Sequence, residues 1–563
     1  MRGQTPLAAL LLVLAVPAQA PRPVTRPQAR LEGQVIDPRH EPVANAEVFV
    51  EHDGIVVAHT RSDGLGTFVF AAVPAEFVVV RATTDAPDVG GVLVDLWGQH
   101  RAFTWLRTMP ARELSGTVRD EAGNPIANAW IGAAPSGAPD LAYACCNGRS
   151  DADGHYRLRH VAMGPVQVRA WTEQRDAAAF VSSIEGHTDA TLDCVVTADT
   201  ADWCTFRLLD ATAEQCAGAR LRVIALHDDA QMPMPPELAR PPQSEPGRWE
   251  LHGWTADDEL HAWVELDGAT MWPVEHVLEV GVGTTTRRFR IGDQDGLLRG
   301  RLLANEGIAA DGIGLLLQPF DGGVSPLNCR RQLATTTADG SFSIQAPVNT
   351  GAKFALRSTS RATVLVGNNS NPVWFVERHD IDKQWQLALR RASSVRVLVT
   401  DRHDTPACGI DATLSVADDR NDRVIGNGTS GLDGLVDIPC LGIEPHVDLV
   451  LEARGAAGGG TMQTRIKVAT DIELGTLRLE PGATIRGVVV AGRGRPLPGA
   501  RVELQVWRGV MREHLVIGTD RTGQFEFRGV GTGACHLITA GAARAFFEVE
   551  PGDVVDMELK VNG

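Results

Sequence analysis

The sequence predicts an all-β protein made of about six β-sandwich domains in tandem, and three observations support this. One phrase recurs along the 563-residue chain at intervals of about 80 to 100 residues. A second pattern, a glycine-containing turn followed by an aromatic residue or valine, comes after each copy. Apolar and polar residues alternate on both sides of these turns, which is typical of half-buried strands. An interval this long suits a chain of small domains rather than a solenoid.

The repeated phrase reads GQVIDPRHEPVANAEVFV at 33–50 and GTVRDEAGNPIANAWIGA at 116–133. Counted from Gly33, a proline stands at offset 9 and an alanine at offset 13, and apolar residues alternate beyond them. Because proline fixes the backbone of a turn, each copy predicts a strand, a turn and a second strand with its apolar side chains inward. Further copies, some without the proline, start at Gly487, Val397, Phe206 and Gly300.

The second pattern marks another turn and strand in every copy. Glycine and aspartate accept the backbone of a tight turn, and the alternation after them predicts a half-buried strand. A unit of about 80 to 90 residues accommodates about seven such strands in two sheets. The segment 210–226 resembles a helix by composition, but the repeat predicts a turn and then a strand there. The pattern reads SDGLGTFVF (62–70), SDADGHYRL (150–158), TTADGSFSI (336–344), SGLDGLVDI (430–438), TDRTGQFEF (519–527) and, more divergent, SEPGRWEL (244–251).

These repeats predict the division of the chain. We expect a signal peptide at 1–18, a proline-rich linker at 19–30, and sandwiches at 31–109, 110–196, 197–292, 293–391, 392–480 and 481–563. The third and fourth sandwiches are the divergent ones.

Both patterns together resemble the carboxypeptidase regulatory-like domain, a transthyretin-like β-sandwich. The resemblance covers nearly the whole mature chain and implies a tandem array of transthyretin-like seven-stranded β-sandwich domains. It implies an accessory or scaffolding role and no particular chemistry, because a fold does not fix a function. The matching residues are Gly33, Val35, Asp37, Pro42 and Phe68 in unit one, Gly116, Val118, Asp120, Pro125 and Tyr156 in unit two, and Gly487, Val489, Pro496 and Phe525 in unit six.

Charge and the N-terminus predict where the protein works. The formal net charge of −17 argues against nucleic acid or an anionic membrane surface as a partner. Arg2, the apolar run 7–16 and the small residues after it are typical of a secretory signal peptide, with cleavage after Ala18. No cysteine follows the run to carry a lipid, and no later apolar run is long enough to span a bilayer. We therefore expect a protein that is secreted, periplasmic or on the cell surface, with a cell-envelope protein or glycan as partner.

Catalytic patterns are weak. His276 and Glu279 have the H-x-x-E spacing of carboxypeptidase zinc ligands, but they lie in an alternating segment, and side chains at i and i+3 of a strand point to opposite faces. Asp151 and Asp153 resemble part of a calcium loop, yet a plain turn explains them better because the sister units have turns there. The sequence therefore predicts no enzyme, no cofactor and no metal.

Aromatic and sulfur residues provide the remaining candidate sites. Trp249 and Trp254 align with core positions, whereas Trp263 and Trp272 are candidates for stacking on a sugar ring. The chain has nine cysteines, and an exported protein permits disulfides. Because the alternation points both side chains into one core, we predict a disulfide between Cys408 and Cys440; the alternative is two buried free thiols.

The sequence thus predicts a non-enzymatic scaffold or adhesion protein of the cell envelope, shaped as an extended rod of small sandwiches. The alternative is a carbohydrate- or peptide-binding protein that uses loops at one end of a sandwich.

Overall fold

The computed structural model describes most of the chain between residues 28 and 561. The described ranges are 28–52, 55–75, 77–86, 88–96, 101–135, 146–164, 166–172, 178–181, 190–196, 204–209, 211–227, 230–231, 241–251, 259–266, 269–271, 278–279, 285–290, 297–304, 309–320, 332–345, 353–358, 363–366, 374–376, 383–391, 393–416, 423–440, 448–455, 458–465, 472–508, 511–539 and 544–561. The predicted signal peptide lies outside them. No helix in these ranges is long and apolar enough to cross a membrane.

The first three sandwiches contain strands β1 to β23. Sandwich 1 has β1 (Gln28–Ile36), β2 (Glu47–His52), β3 (Ile55–Arg61), β4 (Thr67–Pro74), β5 (Phe77–Thr83), β6 (Asp88–Asp95) and β7 (Arg101–Arg107). Sandwich 2 has β8 (Met109–Asp120), β9 (Trp130–Pro135), β10 (Cys146–Arg149), β11 (His155–Ala162), β12 (Val166–Trp171), β13 (Ala178–Val181), β14 (Ala190–Thr191) and β15 (Cys194–Val196). Sandwich 3 has β16 (Cys204–Leu209), helix α1 (Ala213–Gly218), β17 (Arg220–His227), β18 (Ala230–Gln231), β19 (Arg248–Leu251), β20 (Glu259–Leu266), β21 (Ala269–Met271), β22 (Leu278–Glu279) and β23 (Thr285–Arg290).

The last three sandwiches contain β24 to β46. Sandwich 4 has β24 (Leu297–Leu303), β25 (Gly314–Phe320), β26 (Gln332–Thr335), β27 (Ser341–Gln345), β28 (Lys353–Ser358), β29 (Thr363–Val366), β30 (Trp374–Val376) and β31 (Gln384–Arg391). Sandwich 5 has β32 (Ser393–Thr400), β33 (Asp411–Val416), β34 (Arg423–Thr429), β35 (Leu435–Cys440), β36 (Asp448–Gly455), β37 (Gly458–Arg465) and β38 (Ile472–Arg478). Sandwich 6 has β39 (Ala483–Ala491), a single 3-10 turn (Gly492–Gly494), β40 (Arg495–Pro496), β41 (Arg501–Arg508), β42 (Met511–Gly518), β43 (Gln524–Val530), β44 (Gly533–Thr539), β45 (Arg544–Val549) and β46 (Val554–Val561).

One topology recurs, which confirms the predicted all-β tandem fold. In sandwich 1, β1 lies between antiparallel β4 and parallel β7, and the second sheet has the order β3-β2-β5-β6. Sandwich 5 repeats this as β35-β32-β38 and β34-β33-β36-β37. Sandwich 4 departs from the pattern, because β29 joins the first sheet beside β31. Strand β1 begins at Gln28, within the segment predicted as linker.

The two sequence patterns recur together because they face each other across the first sheet. Gly33 on β1 is directly opposite Phe68 on β4, and a Cβ at Gly33 would lie 2.3 Å from the ring of Phe68. Because glycine has no side chain, it leaves a space that the aromatic ring on the neighbouring strand fills. The other pairs of this kind are Gly116 with Tyr156, Gly300 with Phe342, and Gly487 with Phe525.

A buried hydroxyl fixes the turn between the first two strands. The Ser430 hydroxyl accepts a hydrogen bond from the Ile410 amide at 2.9 Å and donates one to the Ala407 carbonyl at 2.7 Å. Both bonds satisfy backbone groups that water cannot reach, since Ser430 is fully buried. The equivalent hydroxyls belong to Ser62, Ser150, Thr336 and Thr519.

Sandwich 3 shows where the repeat misleads. The segment predicted as a turn holds the six-residue helix α1 before β17. Thr212 and Gln215 form a capping box at its start, in which each side chain bonds the backbone of the other. Such a box satisfies the free amides of a helix start, so local sequence decides this turn.

The sandwiches do not form the predicted extended rod. Each of sandwiches 1, 2, 4, 5 and 6 has its own apolar core. However, sandwich 1 contacts sandwich 2 through β6 and β8, and it also contacts sandwiches 5 and 6, which lie far along the chain. The chain therefore folds back on itself, because charged and aromatic side chains of sandwich 1 find partners on the last two sandwiches.

Candidate functional site

The predicted tryptophan site lies partly outside the described residues. Trp263 lies on β20 opposite Arg222 of β17, but its side chain is not among the described ones. Trp272 and Trp254 lie outside the described residues. Trp249 is buried, as its core alignment predicts. Stacking of a sugar on Trp263 and Trp272 stays a prediction.

The structure explains one of the two weak metal patterns, the pair Asp151 and Asp153. Glu279 lies on the two-residue strand β22, and His276 lies outside the described residues. Asp151 Oδ1 accepts hydrogen bonds from the backbone amides of Asp153 and His155 at 2.9 and 2.8 Å. Asp63 and Asp520 hold the corresponding turns in the same way. The aspartate therefore acts as a turn residue, as expected.

The strand register argues against the predicted disulfide. Cys440 ends β35 and is opposite Ser393 at the start of β32, whereas Ala407, next to Cys408, bonds Val399 near the end of β32. Six residues of strand separate these points, about 20 Å at about 3.3 Å per residue, and a disulfide needs Cα atoms within about 7 Å. Cys408 is a half-buried free thiol. The bond stays a prediction, and this geometry favours its alternative of two thiols.

The described residues do contain one built cluster that joins distant parts of the chain. We name it the hub interface: Glu32, His40, Arg101, Trp105 and Arg107 of sandwich 1, with Gly409, Leu432 and Asp433 of sandwich 5 and Glu526 and Arg528 of sandwich 6. It lies on β1, on β7 and on the turn after β1, at the side of sandwich 1 where its first sheet ends with β7.

A buried carboxylate is at the centre of the sandwich 1–5 contact. Glu32 has 2% of its side chain exposed and accepts hydrogen bonds from Arg30 at 2.5 Å and Arg101 at 2.6 Å. The Leu432 amide of sandwich 5 adds a third bond at 3.2 Å. Arg101 also donates to Asp433 at 2.9 Å, so its guanidinium bridges a carboxylate of each sandwich. Loss of Arg101 would leave a buried charge with fewer partners, which is costly.

Electrostatics favour the ionised form of this cluster. Burial by itself would raise the pKa of Glu32, but hydrogen bonds from Arg101 and Arg30 outweigh it and leave the pKa below its ordinary value. Burial likewise opposes the ionisation of Asp433, and the bond from Arg101 again leaves its pKa lowered. The sandwich 1–5 contact thus stays charged and paired down to mildly acidic pH.

An aromatic contact lies beside the ions. The Trp105 Nε1–H donates to the Gly409 carbonyl at 3.2 Å, and Phe103 packs edge-on against the Trp105 ring at 5.3 Å. Gly409 has a φ of 64°, and a Cβ there would lie 2.2 Å from Trp105 Nε1. Only glycine combines this backbone with this approach.

A neutral histidine lies at the sandwich 1–6 contact. Arg107 Nη2 is 3.1 Å from His40 Nε2, and His40 Nδ1 is 3.1 Å from the Glu526 carbonyl. Because a guanidinium only donates, Nε2 is the acceptor and Nδ1 carries the proton. Burial and the positive charges of Arg107 and Arg528 lower the pKa of His40 to about 3, against the opposing effect of its bond to the Glu526 carbonyl.

Backbone and ion pairs extend the contact with sandwich 6. The Glu526 amide donates to the Pro38 carbonyl at 3.3 Å, and Arg528 donates to Glu41 at 3.1 Å. Arg521, in the turn before β43, pairs with Asp88 of β6 at 3.0 Å. Sandwich 6 therefore contacts sandwich 1 at two places, the turn after β1 and the start of β6.

The outer face of sandwich 6 carries an aromatic row across three neighbouring strands. Trp507 on β41 stacks with His536 on β44 at 5.9 Å, and His536 stacks with Phe546 on β45 at 4.0 Å with an interplanar angle of 8°. His536 is buried, but Phe546 has 72% of its surface exposed. The row therefore ends in an exposed ring at the edge of the sheet.

The sequence patterns did not reveal these residues, because none belongs to a catalytic or metal motif. The alternation of Phe103 and Trp105 predicts that β7 is a strand, but it does not predict which domain packs against these two side chains. The one sequence signal was Gly409, which lies 12 residues after Val397. The first two units have asparagine at the same offset, and a glycine there leaves room for a side chain of another domain.

Comparison of the chain with family models and with curated proteins gives no match. The resemblance to the carboxypeptidase regulatory-like domain therefore stays a prediction, and the β-sandwich fold is what the structure establishes.

Several solved structures align with parts of the chain. A streptococcal ancillary pilin aligns with 47% of this chain and 98% of its own, at 11% identity and a TM-score of 0.20. The shaft pilin SpaA of Lactobacillus rhamnosus GG aligns with 31% of this chain and 98% of its own, at 11% identity and a TM-score of 0.19. The Bacillus anthracis TIE protein aligns with 88% of this chain and 73% of its own, at 9% identity and a TM-score of 0.14. Likenesses this remote carry no argument about function.

Proposed function

We propose that this protein is an exported, non-enzymatic scaffold or adhesion protein of the cell envelope. Its six sandwiches present loops and sheet edges in a fixed arrangement to envelope proteins or glycans. The hub interface supports this proposal most directly, because it holds the first sandwich against the last two and so fixes surfaces far apart in the chain. The charges of this network pair with one another across the contact between the sandwiches.

The use of polar residues supports the same proposal. Asp63, Asp151 and Asp520 hold turns through backbone amides, and Ser430 and its equivalents satisfy buried backbone groups. Catalysis needs a nucleophile and base within hydrogen-bond reach, or a metal with open coordination. The repeated polar residues are instead occupied by the fold.

Two measurements test the proposal together. Fractionation of the producing cells is expected to place the mature protein in the envelope or the medium, with its N-terminus at Gln19. The purified protein is expected to hydrolyse neither peptides nor glycans above background, with or without zinc, and Glu279→Ala to behave as the parent does.

Three results would count against it. A cytosolic protein with its N-terminal segment intact would remove the envelope assignment. Zinc-dependent release of C-terminal residues from peptides, lost in Glu279→Ala, would show an enzyme. Glycan binding lost in Trp263→Ala would favour the carbohydrate-binding alternative over the scaffold.

A further inference from the structure

Strand β45 is an open sheet edge with an unusual pattern. It ends the sheet order β42-β41-β44-β45, and in the described part of the chain only β44 pairs with it. Its pairing with β44 runs without a register shift from Arg544 to Val549. The exposed side chains are Arg544, Phe546 and Glu548, which alternate along one face. A regular edge with free backbone groups is a template for pairing with another strand.

The exposed ring at the centre of this edge has one face free. Phe546 is opposite His536 on β44, and the two rings are stacked in parallel at 4.0 Å. The other face of the Phe546 ring therefore points away from β44, toward the open side of the edge. A large aromatic ring left 72% exposed is an anchor for a partner.

We propose that β45 pairs with β45 of a second copy of this chain, antiparallel and centred on Phe546. In that register, a residue that lies a given number of positions before Phe546 is opposite the residue that lies the same number of positions after the partner subunit's Phe546. Arg544 then faces the partner subunit's Glu548, Glu548 faces the partner subunit's Arg544, and the two Phe546 rings meet. Opposite charges and aromatic rings directly across an antiparallel pair are the favourable cross-strand combinations.

The pattern selects this register over its neighbours. A shift by two residues in one direction brings Arg544 opposite the partner subunit's Phe546 and breaks both charge pairs. A shift by two in the other direction places Arg544 opposite residue 550, which lies beyond the end of β45, and separates the two Phe546 rings. A shift by one residue turns the exposed face of one copy toward the core face of the other. The two-fold arrangement uses the same surface on both copies and joins two four-stranded sheets into one of eight strands.

The other apolar edge is less suited to this pairing. Strand β3 exposes Ile55, Val56 and Val57, but its register against β2 shifts between Val50 and Glu51. A bulge of this kind twists an edge away from further pairing. Strand β3 also lacks a pair of opposite charges placed symmetrically about a ring. The charge pattern of β45 therefore makes it the site for a second copy.

Charge reversal tests the proposal on the full chain by sedimentation velocity over a range of concentrations. The parent protein is expected to form dimers. Because the dimer has two-fold symmetry, either Glu548→Arg or Arg544→Glu replaces two attractive charge pairs with two repulsive ones. Each single variant is expected to weaken dimerisation about tenfold or more. The double variant Arg544→Glu with Glu548→Arg restores both pairs and is expected to dimerise as the parent does.

A matched control separates this contact from general surface charge. Glu558→Arg reverses an exposed charge on β46, at an edge of the other sheet of sandwich 6, and is expected to leave the dimer unchanged. Circular dichroism confirms the fold of each variant. A monomeric parent at every concentration overturns the proposal. So does a dimer that survives both single reversals, one that the double variant fails to restore, or one that Val57→Arg on β3 abolishes instead.

Discussion

Acid is expected to open the contact between sandwiches 1 and 6 through His40. In the closed chain this imidazole has a pKa of about 3, below its ordinary value of 6.5. When the contact opens, the ring returns to water and binds a proton near its ordinary pKa. The open form therefore binds more protons in this range, and the closed form loses stability as pH falls below about 6.5.

The size of the effect follows from the two pKa values. Between pH 7.5 and pH 5, protonation of the open form favours opening by about 2 kcal/mol, since each pKa unit corresponds to about 1.4 kcal/mol. This is about a 30-fold change in the opening equilibrium. Glu32 and Asp433 have lowered pKa values in the closed form. Their contribution to the stability of the closed form is therefore present above the ordinary carboxylate range and is lost only at more acidic pH. At the sandwich 1–6 contact itself, burial raises the pKa of Asp88, so its protonation favours the closed form and works against opening by acid. The loss of stability between pH 7.5 and pH 5 is therefore assigned to His40.

Hydrogen exchange at one amide reports this opening. The Glu526 N–H donates to the Pro38 carbonyl across the contact, so its protection depends on closure. After correction for intrinsic exchange, protection at Glu526 is expected to fall about 30-fold from pH 7.5 to pH 5.

His40→Asn is the matched control. Asparagine tolerates the left-handed backbone at this position, where φ is 62°, and it does not titrate. In this variant, the hydrogen-exchange protection of the Glu526 amide is expected to stay constant over the same pH range. A parent protein with flat protection, or a variant that retains the acid response, would refute the role of His40.

Three further predictions concern single residues of sandwich 5. Ser430→Ala leaves a buried amide and a buried carbonyl without partners and is expected to cost about 2 kcal/mol of local opening free energy, seen as faster exchange confined to sandwich 5, whereas Ser430→Thr retains protection. Gly409→Ala adds a strained φ and a clash with Trp105. It is expected to increase the quenching of Trp105 fluorescence by a soluble quencher, with little change in the core of sandwich 5. Unchanged quenching would show that the contact tolerates a methyl group. Non-reducing peptide mapping is expected to recover Cys408 and Cys440 as free thiols, and a peptide that links them would contradict the strand register.

The fold was predictable from sequence because it rests on local and repeated signals. Gly33 with Phe68 marks two strands that pair, and the offset between them is fixed by the length of the intervening hairpin. Alternation then decides which face is buried. Helix α1 shows the limit, since a capping box at Thr212 overrides the repeat within one turn.

The hub interface was not predictable because it depends on contacts between domains. Arg101 and Asp433 are 332 residues apart, and each looks like an ordinary surface charge in its own strand or turn. Only the close approach of the two sandwiches buries Glu32 and gives Arg101 a second carboxylate. The expectation of an extended rod was wrong for the same reason. A repeat in the sequence predicts the fold of each unit, but it does not predict which other units contact its surfaces.

Small-angle X-ray scattering tests the folded-back arrangement most directly. Six sandwiches of about 90 residues in a straight row would have a radius of gyration of about 55 Å, whereas one compact body of the same chain would have about 24 Å. The monomer, or the Glu548→Arg variant if the parent dimerises, is expected to lie well below the value for the row, and Arg101→Glu is expected to raise it. A monomer with a radius of gyration near 55 Å that Arg101→Glu leaves unchanged would contradict the hub interface.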